Sequence, residues 1–256
     1  MDETDVLLHW LYVAVMAASA IGILTMAANP RGVPQYKYLI HTFVVVWSGL
    51  AYSAIALGQG SVEIGGETVY FARYLDWVVS TPLLLLSLVL TGKYTLKLEG
   101  SITAGLLGAQ VIMILSGLIA DLSPAENRWF WYIAGCFALL VVYRLMWKEL
   151  YEKAKIQGPE LTAAYRASAV YLSVQWLLYP LVWALGTPGL ALLSPLLTSV
   201  LFIILPIVSK AGFAFYNLSK LRALPDYLHQ GAVEPRTEAE LLRDPHPAGK
   251  TVPAVG

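Results

Sequence analysis

Three ionisable side chains lie inside long apolar stretches of the sequence: Arg73, Asp76 and Lys210. Each would cost several kcal/mol if it faced lipid, so these side chains should face a protein interior and compensate one another. The third stretch places polar and aromatic residues on one helical face, at offsets of 3, 4, 7, 11 and 14 from the first: Arg73, Asp76, Trp77, Ser80, Leu84 and Ser87. Two interpretations fit, an ion pair that only joins helices and a reactive centre.

Lys210 favours the reactive centre. It lies some 15 positions after Pro195, roughly 22 Å into its helix, which is too deep for the ammonium group to reach the interface easily. Desolvation disfavours that ammonium form and leaves an amine competent to condense with an aldehyde. The resulting imine holds a proton only beside a carboxylate, and Asp76 is the one acidic residue deep within any apolar stretch.

Aromatic residues near Pro180 indicate what such an aldehyde would be. Trp176, Tyr179 and Trp183 share one helical face, whereas a lone aromatic in a membrane helix is usually a packing or interface residue. A stripe of three can sandwich a long flat polyene. A conjugated aldehyde on a buried lysine, walled by indoles, is a chromophore.

These side chains need a membrane scaffold to position them. The chain has 256 residues, of which 57% are apolar and 13% charged, well below the roughly 25% charged residues of soluble domains. A bilayer core of roughly 30 Å needs about 20 apolar residues per helix. Seven segments meet that length, approximately 6–28, 38–58, 72–92, 102–122, 129–148, 167–187 and 192–219. The sequence therefore predicts an all-α bundle of seven transmembrane helices, multi-pass in the cell membrane.

Charge distribution predicts the orientation of the bundle and excludes some functions. Lysine and arginine cluster in alternate connections, so the N-terminus is expected outside and the C-terminus in the cytoplasm. A net charge of zero gives no reason to expect nucleic acid. The single cysteine, Cys136, excludes an internal disulfide. No metal site and no enzyme activity are expected.

The last part of the chain differs in composition from the bundle. Residues 1–220 form the predicted membrane domain, and residues 221–256 are polar and interrupted by prolines. Such a composition buries too little apolar surface to fold alone, so a flexible cytoplasmic tail is expected there. Within it, Thr237–Arg243 is expected to form one or two helical turns.

Three motifs resemble the microbial rhodopsins, and the resemblance spans all seven helices, ending near Leu224. Residues 72–77 (ARYLDW) and 80–86 (STPLLLL) look like the third helix of that family. Residues 176–183 (WLLYPLVW) are similar to its sixth-helix ring cage, and residues 209–213 (SKAGF) resemble its retinal-lysine motif.

The resemblance implies retinal bound to Lys210 as a protonated Schiff base, with Asp76 as counterion and Arg73 beside it. The three-residue signature of the third helix corresponds to Asp76, Ser80 and Ser87. The implied pocket consists of Trp77, Ser80, Thr81, Leu84, Met113, Ile114, Gly117, Tyr132, Gly135, Trp176, Tyr179, Trp183, Pro206 and Ser209. A homo-oligomer, either a dimer or a trimer, is also expected.

Two departures from outward proton pumps indicate a subfamily. Pro206 stands where those pumps carry a second counterion aspartate, and Ser87 replaces their cytoplasmic donor carboxylate. These residues, with segments 29–36 (NPRGVPQY) and 116–121 (SGLIAD), resemble the xenorhodopsins and the cyanobacterial sensory rhodopsin grouped with them. Members of that group include light-driven inward proton pumps and photosensors.

An inward proton pump is the favoured interpretation, because Ser87 cannot reprotonate the imine from the cytoplasm. Asn217 replaces an aspartate found in several relatives, so the proton is expected to leave along water and hydroxyl groups near Ser87, Tyr216 and Asn217. His41 is a possible relay but is expected to be an ordinary interfacial histidine. The alternatives are a photosensor that signals to a soluble transducer through its tail and, third, a light-gated channel.

Overall fold

The computed structural model describes residues 3–64 and 67–244, and within them seven helices have the length and composition to cross a bilayer. They are α1 (Glu3–Ala28), α2 (Gln35–Ala56), α3 (Phe71–Gly92), α4 (Gly100–Leu122), α5 (Ala125–Lys155), α6 (Pro159–Leu185) and α7 (Pro195–Arg222). The predicted seven-helix fold is confirmed. The largest differences are at α5, which extends to Lys155, and at α6, which begins at Pro159. Hydropathy detects only the apolar part of a helix, whereas Glu, Lys and Ala continue it into water.

The sequence did not predict a short hairpin in the connection between α2 and α3. β1 (Val62–Ile64) pairs antiparallel with β2 (Glu67–Val69). The first residue of α1 and the α4–α5 and α6–α7 connections lie at the same end of the bundle, which we call the hairpin end. The opposite end carries the α1–α2, α3–α4 and α5–α6 connections and the end of α7, and we call it the C-terminal end.

The two helices that carry the ionisable residues are the most buried. In their most apolar windows, 61% of α3 and 56% of α7 are buried inside the protein, against 28–44% for the other five helices. The remaining helices therefore present much of their surface to lipid, as the exposed large apolar side chains such as Leu7, Phe43 and Phe137 show. α3 and α7 form the centre around which the site is built.

A π-helical segment interrupts α7 from Ile207 to Gly212, directly after Pro206. Proline has no N–H group to donate to the preceding turn, which favours a change of helical winding at this position. The Tyr171 hydroxyl donates a hydrogen bond of 2.9 Å to the Val208 carbonyl inside the segment. Gly212 permits this approach, since a Cβ atom there would lie 2.4 Å from the Tyr171 hydroxyl. A second π-helical segment lies in α5 at Leu145–Leu150.

The expectation of a flexible tail from residue 221 is not met over residues 221–244. After α7 the chain forms α8 (Asp226–Val233) and α9 (Glu238–Arg243), and Leu228 and Leu241 are buried. The Arg236 backbone N–H donates to Thr95 O at 2.9 Å, and the Lys97 N–H donates to Arg236 O at 2.9 Å. The average composition of residues 221–256 is polar, and it conceals the few well-spaced apolar residues that are buried.

We call residues 226–243 the cap, because they cover the C-terminal end of the bundle. The helical turns predicted for Thr237–Arg243 are confirmed, with a reciprocal capping box between Thr237 and Glu240. Lys153 of α5 forms an ion pair with Glu238 at the start of α9. The rest of the predicted tail, residues 245–256, lies outside the described part of the chain.

Candidate functional site

Lys210 and Asp76 meet in the centre of the bundle. Lys210 Nζ donates a 2.7 Å hydrogen bond to Asp76 Oδ2, and the two side chains are only 1% and 0% exposed. The Ser48 hydroxyl donates to the same oxygen at 2.8 Å, while Ser48 Oγ lies 2.5 Å from the Tyr12 hydroxyl. Removing two charges from water costs several kcal/mol per ion, so such a pair is poor evidence for stability and good evidence for function.

Arg73 lies one helical turn from Asp76 toward the hairpin end. Its guanidinium group packs over the Tyr70 ring at 4.3 Å, and Nη2 is 3.4 Å from His9 Nε2. Arg73 borders a polar cavity of about 350 Å³ at this end of the bundle. The cavity is also lined by Asp5 of α1 and Asp121 of α4, two carboxylates that the sequence interpretation did not assign to the site.

An apolar cavity lies between α3, α4, α5 and α6, on the other side of Trp77. Trp77 packs edge-on against Tyr179 with ring centroids 5.1 Å apart, and Tyr132 stacks on Trp183 at 4.9 Å. The Tyr179 hydroxyl lies 2.8 Å from Ser209 Oγ, which connects the cavity wall to the residue beside Lys210. The indole nitrogens of Trp77, Trp176 and Trp183 are buried without a hydrogen-bond partner among the described residues.

A buried polar cluster lies on the opposite side of Lys210, toward the C-terminal end. Asn217 Oδ1 is 3.3 Å from both Ser87 Oγ and His41 Nε2, and Ser87 Oγ is 3.0 Å from that nitrogen. Asn217 Nδ2 donates to Thr91 at 3.2 Å and to Ser168 at 3.0 Å. All five side chains are 0% exposed. The expectation that His41 is an interfacial histidine is therefore wrong.

The hydrogen bonds of Asn217 also determine the tautomer of His41. Because the amide nitrogen donates to two hydroxyl groups, the amide oxygen faces His41, and His41 Nε2 carries the hydrogen. Nδ1 then keeps a free lone pair, and it has no partner among the described residues. Tyr216, expected near this exit path, stacks on Tyr171 instead, with centroids 5.1 Å apart.

The sequence profile of the family described as bacteriorhodopsin-like protein matches residues 3–223. The chain belongs to the bacteriorhodopsin-like family. It is similar to archaerhodopsin-3 of Halorubrum sodomense, with 33% identity over 194 residues, 74% of each chain. Its fold is similar to that of a cyanorhodopsin from Tolypothrix sp. NIES-4075, with a TM-score of 0.81 and 30% identity over 91% of this chain and 99% of that one.

A third relative is the light-driven proton pump from Coccomyxa subellipsoidea, with a TM-score of 0.78 and 27% identity over 86% of this rhodopsin and 97% of that chain. Relatives of this rhodopsin are thus light-driven pumps rather than enzymes. The protein is a multi-pass membrane protein, and its cofactor is retinal, which the bacteriorhodopsin-like family binds through a Schiff base to a lysine.

The site fits this cofactor. The apolar cavity is walled by the predicted tryptophans and by Tyr132 and Tyr179, whose flat rings suit a long apolar polyene. Lys210 is buried beside a carboxylate, as a protonated imine requires. Lys210 itself does not border the cavity, because its side chain is drawn toward Asp76.

Most of the predicted pocket residues of this rhodopsin line the cavity. They are Trp77, Thr81, Met113, Ile114, Gly117, Tyr132, Gly135, Trp176, Tyr179 and Trp183. The other predicted residues, Ser80, Leu84, Pro206 and Ser209, are buried but do not line it. The cavity also includes residues that the sequence did not indicate, namely Tyr74, Gln110, Cys136, Leu139, Pro180 and Phe202. Only Gln110 carried a signal, as a polar residue in an apolar run, and it donates to Thr81 at 2.8 Å.

Proposed function

We propose that this rhodopsin is a light-driven inward proton pump of the xenorhodopsin type. In this proposal the hairpin end is extracellular and the C-terminal end cytoplasmic, in agreement with the distribution of lysine and arginine. The observation that carries the proposal is the position of His41. A buried imidazole with a free lone pair lies on the cytoplasmic side, where an outward pump needs a carboxylic acid.

Lys210 is the residue that we propose holds the retinal. Bound to Lys210, retinal would supply the absorption of light and would turn Nζ into an imine nitrogen that can give up its proton. Asp76 stabilises the proton at this nitrogen in the dark, and Ser48 fixes the carboxylate through its hydrogen bond to Oδ2. The aromatic wall holds the ligand flat and excludes water from it.

Among the described residues, the polar cluster around Asn217 contains a base, His41, and no acid. None of the described side chains that hydrogen-bond within the polar cluster is a carboxylate. Ser87 and Asn217 can order water and hydroxyl groups, but neither takes up a charge. His41 Nδ1 can accept a proton. We assign to His41 the acceptor role that Asn217 cannot fill.

The extracellular side can resupply the proton. Asp76 stands between Lys210 and Arg73, and the cavity beyond Arg73 is polar and bordered by Asp5 and Asp121. These carboxylates give the extracellular half proton-exchanging groups that the cytoplasmic cluster lacks. A proton taken from this side and released on the other gives net inward transport.

The second candidate is a photosensor. The observation in its favour is that the cap packs on the α3–α4 connection and on α5, so a movement of these elements would change the cytoplasmic surface. A soluble transducer could bind that surface. A dimer or trimer stays a prediction under either function.

Illumination of unbuffered cells that contain the retinal-loaded protein tests the proposal. We expect the external medium to become alkaline in light, and a protonophore to abolish the change. Acidification of the medium would overturn the proposed direction. No pH change would favour the sensor.

A further inference from the structure

Lys37 is a buried lysine that the proposed mechanism does not yet use. It lies on α2 one turn from His41, toward the C-terminal end, and is 0% exposed. Its Nζ has no hydrogen-bond partner among the described residues and lies 5.3 Å from the centre of the Tyr94 ring. A lysine at a helix end usually extends to water. Lys37 instead points into the protein, between His41 and Tyr94.

Tyr94 connects Lys37 to the cap. The Tyr94 hydroxyl lies 2.9 Å from Nδ1 of His229, which belongs to α8 and is 5% exposed. His229 packs directly on Gly32, where φ is +81° and where an added Cβ would lie 2.5 Å from the His229 ring. His229 Nε2 is buried and has no partner among the described residues, as is also true of His41 Nδ1 and Lys37 Nζ.

Unpartnered buried nitrogens of this kind indicate internal water. A buried polar group without a hydrogen bond costs about 1–3 kcal/mol, and ordered water usually satisfies it. Three such atoms belong to His41 of the polar cluster, to Lys37 one turn away on α2, and to His229 of the cap. Burial also lowers the pKa of His229, against the opposing effects of the Leu224 carbonyl and Asp226.

We propose that Tyr94 and His229 form a proton relay from His41 to the cytoplasm, in which Lys37 Nζ orders the water between His41 and Tyr94 and the cap is the outer end. The proposal rests on the proposed inward direction. A proton that leaves His41 through water reaches the Tyr94 hydroxyl. Tyr94 gains this proton as its own hydroxyl proton passes to His229 Nδ1, and His229 then releases its Nε2 proton to cytoplasmic water. One proton enters at Tyr94 for each proton that leaves at His229 Nε2, so charge and atoms balance. Rotation of the Tyr94 hydroxyl and a flip of the His229 ring, which exchanges its two nitrogens, then restore the starting state.

A structural role predicts different results from a relay. In the structural interpretation Lys37 is held by its interactions with the Tyr94 and Tyr36 rings, and His229 only attaches α8 to the bundle. Tyr94→Phe distinguishes the structural role from the relay, because it keeps the ring under Lys37 and removes only the hydroxyl group. Tyr38→Phe is the matched control. Tyr38 is 1% exposed at the same end, and its hydroxyl donates to Pro30 O at 2.9 Å and accepts from Arg222 at 3.3 Å.

The experiment uses the full-length, retinal-loaded protein in vesicles of known orientation with a pH-indicator dye on the side of the C-terminus. After a flash, the visible absorbance reports loss of the proton from Lys210 Nζ, and the dye reports its arrival in bulk water. We expect Tyr94→Phe to delay the dye signal roughly tenfold, within the 100-fold or larger contribution of positioned acid–base groups. The visible absorbance change should keep its wild-type rate, and Tyr38→Phe should behave as wild type.

His229→Ala gives a second test, because added imidazole can replace a lost proton carrier but not a lost structural contact. We expect the dye signal to be delayed in this variant and to recover with imidazole. A wild-type dye signal in Tyr94→Phe, or a delay in His229→Ala that imidazole does not shorten, would overturn the relay alone. A wild-type protein that releases no proton on this side would overturn the proposed direction and the relay together.

Discussion

The two halves of the bundle on either side of Lys210 use different chemistry. The hairpin half contains a carboxylate, a guanidinium group and a polar cavity of about 350 Å³ that Asp5 and Asp121 border. The C-terminal half contains a histidine, hydroxyl groups and an amide, all 0% exposed. Phe213, one turn from both Lys210 and Asn217, packs against His41 with ring centroids 5.8 Å apart. An apolar ring thus separates the polar cluster from Lys210.

This difference suggests what determines the direction of proton transport through the bundle. In the proposed function, Asp76 next to Lys210 Nζ holds the proton, and an acid or a base on the opposite side decides whether that side gives or takes one. The predictions below remove or exchange these groups, in order of decreasing expected effect.

Loss of Lys210 should have the largest effect, because both halves depend on it. We expect Lys210→Ala to abolish the visible absorption band after addition of all-trans retinal. Lys37→Met is the control, since Lys37 is also completely buried but lies in the first turn of α2, at the C-terminal end of the bundle. It should keep the band. A visible band in Lys210→Ala would show that another amine binds the retinal.

Neutralising the carboxylate of the hairpin half should have the next largest effect. Asp76→Asn removes the negative charge that lies 2.7 Å from Lys210 Nζ. Because a nearby opposite charge favours the protonated form, the pH midpoint for loss of the visible band should fall by roughly 1–3 units. The remaining protonated band should shift to the red. An unchanged titration would mean that a different acid stabilises the proton.

Removing the base of the C-terminal half should reduce transport without affecting retinal binding. We expect His41→Phe to lower the initial rate of inward proton uptake about tenfold or more, because a positioned acceptor is lost. The visible band should remain, since His41 does not line the retinal cavity. Inward transport at the wild-type rate would exclude His41 as the acceptor.

Adding an acid to the C-terminal half should change transport by a smaller factor, on the order of two- to threefold, with a sign that depends on position. Asn217→Asp provides an additional acceptor beside His41 and should increase inward current. Ser87→Asp provides a donor and should decrease it. Light-induced pH changes in oriented vesicles measure both. Changes of the same sign in the two variants would contradict the idea that position determines direction.

The smallest effect concerns the attachment of the cap. Burial lowers the pKa of His229 below its ordinary value of 6.5. The detached cap therefore binds a proton more readily than the docked one, so docking is strongest above pH 6.5 and weakens as the pH falls below it. The protection factors of residues 226–233, which correct hydrogen-exchange rates for their intrinsic dependence on pH, should be lower at pH 5 than at pH 7.5, and His229→Gln should remove this difference. Equal protection of the wild type at both pH values would contradict the idea that His229 makes docking of the cap depend on pH.

Sequence patterns were sufficient for the helices and for most of the retinal pocket. Apolar length alone predicts the seven spans, and the spacing of Trp176, Tyr179 and Trp183 predicts one wall of the cavity. The patterns failed where tertiary contacts decide the environment. Nothing near His41 in the sequence indicates that Ser87 and Asn217, 46 and 176 residues away, will surround it. The cap was missed for the same reason, because its partners Thr95 and Lys97 lie in a distant connection.

The π-helical segment of α7 has a mechanical consequence. A π turn contains one residue more than an α turn, so the segment Ile207–Gly212 is wider and less tightly wound than the helix on either side. α7 therefore consists of two α-helical segments joined by a wider turn, and Lys210 lies inside that turn. We expect a light-induced change at Lys210 to alter this turn before it moves the α-helical segments on either side. Deleting one residue of the turn, such as Val208, should remove the π-helical segment and make α7 a continuous α-helix.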